Sequence, residues 1–109
     1  MTSGITIKEI AREIQYIHTN EAQIVSIYGF GSFFRSNKAN DCDLLFVIDN
    51  NCPDLGSIHA KLYRVFSELG DKLSITFDLT ILTEREHERE PLLEHNALIP
   101  ISMSNRNNA

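Results

Sequence analysis

Two runs decide the fold: Ile24-Val25-Ser26-Ile27-Tyr28, which enters Gly29-Phe30-Gly31-Ser32, and Asp41-Cys42-Asp43-Leu44-Leu45-Phe46-Val47-Ile48. The first is short and β-branched and halts at glycines, which reads as a strand delivering its end into a tight turn. The second is a near-continuous apolar strand whose opening residues are acidic. A polar interval, Arg35 to Asn40, joins them, and Asp49-Asn50-Asn51-Cys52-Pro53 breaks the second.

Upstream, Ile7, Ile10, Ile14 and Ile17 recur at helical spacing behind Thr6-x-x-Glu9, a capping-box pattern, so 6–19 is expected to form an amphipathic helix. Downstream, Ile58, Leu62, Val65, Phe66 and Leu69 share one helical face, with Asp54 as N-cap and Gly70 at the position after the helix end. Leu73, Ile75, Phe77, Leu79 and Ile81 alternate with polar residues, which predicts a strand over 73–82 with one face in the core and Asp78 on the other. Thr83-x-x-Glu86 caps a third, strongly charged helix laced by i,i+4 pairs, with a docking surface for a basic partner as the alternative use of that face. Ala97 to Ile101 reads as an edge strand, where Pro100 is tolerated. The order predicts one α/β domain (α+β-like) over 1–101, with a mixed β-sheet of three to four strands and flanking helices, and a disordered polar tail over 102–109.

Composition narrows the function classes. The 109 residues suffice for a single core, and 15 acids against 10 bases leave a net charge of −5. A broad basic stripe for nucleic-acid phosphates is therefore not available. No apolar run approaches the ~20 residues of a membrane span, and the opening lacks a secretory build, so a cytoplasmic protein is expected. Cys42 and Cys52 show no metal spacing and read as small apolar filler.

Asp41 and Asp43, two apart at a strand start, leave the same face, where carboxylates can converge on a divalent cation. Asp78, on a polar face of a later strand, can join them over one patch. Two hard cations about 3.5–4 Å apart on such a trio suit in-line phosphoryl transfer. Gly31-Ser32 lets backbone N–H groups and a hydroxyl approach phosphate oxygens, and Arg35 adds a planar donor fork. The dinucleotide, Walker and EF-hand patterns all fail on spacing. Phe30, Phe33 and Phe34 read as packing residues rather than base-stacking platforms, and His18, His59, His87 and His95 as solvated residues.

Gly31-Ser32, Arg35, Asp41-x-Asp43 before an apolar strand, and Asp78 on a later strand together resemble the DNA polymerase β-like nucleotidyltransferase superfamily, and most of all its minimal stand-alone members. The resemblance spans about residues 7–101. It implies the polymerase β-like fold, with Asp41, Asp43 and Asp78 as catalytic residues and as ligands of two Mg²⁺ ions. It further implies Asp78 near the acceptor hydroxyl and Gly31, Ser32 and Arg35 as the nucleotide-binding turn. Eight residues separate Ser32 from Asp41, fewer than in many minimal members, and Ser36 stands where a glycine often follows the arginine. Similar members pair with HEPN-domain toxins, whose modification silences them. The expected activity is Mg²⁺-dependent transfer of a nucleoside monophosphate, AMP from ATP, to a hydroxyl of such a partner. Two other readings use the same residues: a non-catalytic antitoxin acting by occlusion, and a nucleotide sensor without turnover.

Overall fold

Isoleucines on one helical stripe and strands of alternating polarity cannot bury their apolar sides alone, and they do so here against one another. This computed structural model describes residues 7–31, 33–34, 41–90, 92 and 97–103. Helix α1 is Ile7–Thr19, strand β1 Ile24–Phe30, β2 Asp41–Ile48, helix α2 Leu55–Leu73, β3 Thr76–Thr83, α3 Glu84–Glu88 and β4 Ile99–Met103. The described strands form one mixed sheet in the order β3-β2-β1-β4, with β1 antiparallel to β2 and β4, and β2 parallel to β3. The fold is α+β, a four-stranded mixed sheet with flanking helices.

The even-numbered residues of β2, Cys42, Leu44, Phe46 and Ile48, enter the main core with Ile10 and Ile14 of α1 and Ile58, Leu62 and Phe66 of α2. Leu45 and Val47 point to the other face, yet they are only 0% and 2% exposed. Strand β2 is thus covered on both sides over its second half, which explains its near-continuous apolar run. Its first half, with Asp41 exposed and Asp43 half-buried, is where the second face opens.

Helix α2 starts where the sequence places it. The Asp54 carboxylate accepts from the Ser57 N–H at 3.1 Å and the Ser57 hydroxyl at 2.7 Å, and these bonds hold its pKa below the usual carboxylate value. Its end differs from expectation. Leu69 and Leu73 continue the stripe of Phe66 at helical spacing, so the helix runs to Leu73 and Ser74 takes the left-handed cap at φ 60°. Gly70 therefore lies inside the helix, where its missing side chain admits the Ile75 carbonyl, and β3 begins at Thr76 rather than 73.

The Thr83–Glu86 capping box forms, with Glu86 N–H donating to Thr83 Oγ1 at 3.2 Å and Thr83 N–H to Glu86 Oε1 at 2.9 Å. However, α3 stops at Glu88, too short for the expected ladder of i,i+4 pairs, and Glu90 follows at φ 51°. Strand β4 lies at the sheet edge with Pro100 in it and extends through Ser102 and Met103, past the expected strand end at Ile101 and into the expected tail. The physical reason lies in α1. His18 is not solvated but buried, its Nε2–H donating to the Ile24 carbonyl at 2.8 Å while its Nδ1 shares a hydrogen bond with the Ser102 hydroxyl. A carbonyl can only accept, so Nε2 carries the proton. Residues 104–109, His95 and Thr6 lie outside the described residues.

Candidate functional site

In the parallel β2–β3 pair, Asp43 lies directly opposite Asp78, and Asp41 opposite Thr76. In the antiparallel β1–β2 pair, Phe30 lies opposite Asp43 and Tyr28 opposite Leu45. Residues opposite one another share a face, so one row across the sheet reads Asp78, Asp43, Phe30, and the next Thr80, Leu45, Tyr28. This face is the one away from α1 and α2. Its far half is covered near α3, where the His87 ring packs 5.4 Å from that of Tyr28.

Like charges directly opposite on neighbouring strands destabilise a sheet. Both carboxylates sit at such a pair, and Asp78 is exposed. Their fields reach through the sheet: the Cys42 thiol on the core side is pushed up to about 12, by burial first and then by the negative charges of Asp43 and Asp78. Cys42 is accordingly a neutral, inert thiol, as its filler reading expects.

Gly31 completes the arrangement. Its φ of 85° lies in the region that side chains disfavour, and a Cβ built on it would stand under 3.0 Å from Asp43 Oδ2. The dihedral favours glycine here, and any side chain would in addition push the Asp43 carboxylate aside. The turn is folded back on itself, with the Phe34 N–H donating to the Gly31 carbonyl at 3.2 Å and the Phe34 ring seated where a Gly29 side chain would go. Phe33 and Phe34 are buried packing residues, as the sequence suggests, whereas Phe30 is half-buried on the carboxylate face. The spacing Tyr28, Phe30 against the buried Ile27, Gly29 carried that signal. Ser32 and Arg35, the other two residues of the expected nucleotide-binding turn, lie outside the described residues.

The three acids share a face but are not equivalent. Asp43 and Asp78 are neighbours, while Asp41 stands two residues along the strand, about 6.6 Å at parallel-strand rise. Among the described residues no three His, Cys, Asp or Glu side chains are grouped to hold a metal ion. The donor chemistry is nevertheless that of a hard divalent cation: carboxylate oxygens on a rigid strand pair, beside a turn kept free of side chain at Gly31. Asp41, Asp43 and Asp78 supply on one face the oxygen donors that a hard divalent cation takes, but the three are not drawn together about one point.

Compared with protein-family models, with curated proteins and with solved structures, the chain matches none. Among the described residues no helix is long and apolar enough to cross a membrane.

Proposed function

We propose that this chain is a Mg²⁺-dependent nucleotidyltransferase of the kind its sequence resembles, a minimal member of the polymerase β-like superfamily. It moves a nucleoside monophosphate, AMP from ATP, to a hydroxyl on a partner protein such as a HEPN-domain toxin, and so acts as an antitoxin in the cytoplasm. The observation that carries the reading is the in-register pair Asp43–Asp78 with Gly31 folded against the Asp43 carboxylate. Opposed carboxylates repel one another in a sheet, and a bound cation would offset that repulsion.

Each residue has a role in this reading. Asp41 and Asp43 would hold Mg²⁺, which when bound would neutralise charge on the triphosphate and on the leaving pyrophosphate. Gly31, with Ser32 and Arg35, receives the phosphate oxygens. Asp78 contributes to the second cation position and accepts the hydrogen bond of the acceptor hydroxyl, orienting its oxygen in line with the bond that breaks. The domain's negative charge is no obstacle, because the substrate arrives with its own cation.

The test is transfer of labelled nucleotide from MgATP to a copurified partner. The reading expects transfer by the wild type and none by Asp78→Asn. Transfer at the wild-type rate by Asp78→Asn would remove that residue from the site. Stoichiometric partner binding with no transfer would instead support neutralisation by occlusion.

A further inference from the structure

Three features place Phe30 beside the candidate site. It is the last residue of β1 and the chain neighbour of Gly31, it lies opposite Asp43 on the carboxylate face, and it is half-buried there. Tyr28, two residues back on the same face, is covered by the His87 ring, while no described aromatic ring packs on Phe30. A half-buried phenyl side chain thus stands opposite a carboxylate, on the face where Asp41 and Asp78 are exposed.

We propose that Phe30 is the platform on which the nucleobase of the triphosphate stacks. The inference rests on the phosphate reading of Gly31 and Asp43 given above and extends it to the other end of the nucleotide. In the row Asp78, Asp43, Phe30 the ends are chemically distinct. The acidic end suits an acceptor hydroxyl, which must give up a proton. The aromatic end suits a base, which offers a flat π face. With phosphates against Gly31 and Asp43, only the sugar separates them from a base over Phe30. Opposed Cβ atoms on antiparallel strands stand about 5 Å apart, so ring and carboxylate belong to one site. Stacking accepts any base, and the larger purine face gains most, so a nucleoside triphosphate is the ligand class and purines are its favoured members.

Calorimetry on the full chain with two probes, MgATP and magnesium tripolyphosphate, tests this. Phe30→Ala and Phe30→Leu should each weaken MgATP about 5- to 150-fold, the range for loss of one base stack. Tripolyphosphate, which has no base, should bind both variants as it binds the wild type. That result also shows the variants folded, and Phe30→Trp should keep MgATP affinity. Wild-type MgATP affinity in Phe30→Leu, or a parallel loss of both probes, overturns the stack. A wild type that binds both probes equally overturns the stack and leaves the phosphate site standing. A wild type that binds neither overturns the phosphate site, and the stack with it.

Discussion

Replacing Gly31 by alanine tests the turn and the carboxylate together. At φ 85° an L residue is disfavoured by about 1–2 kcal/mol. The smaller conformational freedom of alanine in the unfolded chain returns about 0.4–1 kcal/mol. The added Cβ would stand under 3.0 Å from Asp43 Oδ2, so the carboxylate must rotate away, which costs about 0.5–1.5 kcal/mol off its rotamer. The net is about 2 kcal/mol, or a fall in Tm of about 10 °C for a domain of this size. Urea and thermal unfolding of Gly31→Ala measure it. A double-mutant cycle with Asp43→Ala isolates the carboxylate part, since removing the side chain removes the clash and leaves only the backbone cost of about 1 kcal/mol. MgATP affinity should fall with Gly31→Ala as well, because the displaced oxygen is the one that faces the turn. A Gly31→Ala protein as stable as the wild type, or a cycle with zero coupling, would refute the account of why this glycine stands on that carboxylate.

Gly70→Ala should destabilise despite the helix-propensity gain of about 1 kcal/mol, because its Cβ would collide with the Ile75 backbone carbonyl, an overpacking cost of about 1–3 kcal/mol seen as a lower urea midpoint. His18→Ala removes two of the hydrogen bonds that tie α1 to β1 and β4, leaving the one from Gln15 Nε2 to the Ile101 carbonyl, and unfolding should show a loss of about 1–3 kcal/mol. The Cys42 thiol has its folded pKa raised from 9.0 to about 12, so its contribution is fully present below pH 9.0 and is lost as pH rises toward 12, because the unfolded chain gives up the proton first. Relative to Cys42→Ala, wild-type stability should therefore decline by up to about 1.4 kcal/mol per pH unit above 9.0, read from urea midpoints at pH 8, about 9.5 and about 10.5. Removing one of two opposed carboxylates, Asp78→Asn, should leave stability unchanged or raised, since it relieves like-charge repulsion; a loss of more than about 1 kcal/mol would show that Asp78 has a structural partner.

Local chemistry was legible from the sequence and long-range pairing was not. The Asp54 cap and the Thr83–Glu86 box are written in four consecutive residues each, and both form. Period-two alternation put Asp41 and Asp43 on one face and Cys42 and Leu44 in the core, and both hold. The helix end at Leu73 was hidden because Leu73 fits either a helical stripe or an alternating strand, and only packing chooses between them. His18 and Ser102 are 84 positions apart, so nothing local marks the histidine as buried or holds Ser102 in β4. For the site, the sequence named the acids and the glycine. It could not say that the parallel register sets Asp78 against Asp43 and not Asp41, nor that Phe30 completes the row.

The proposed activity stands or falls on whether the face carrying Asp41, Asp43 and Asp78 binds a triphosphate through a divalent cation. Calorimetric titration of ATP into the wild type and into Asp43→Asn, each with and without Mg²⁺, tests it most directly. The account predicts binding by the wild type that depends on Mg²⁺ and is lost in Asp43→Asn, while Asp78→Asn keeps most of the affinity. Equal ATP affinity with and without Mg²⁺, or undiminished binding by Asp43→Asn, would contradict it.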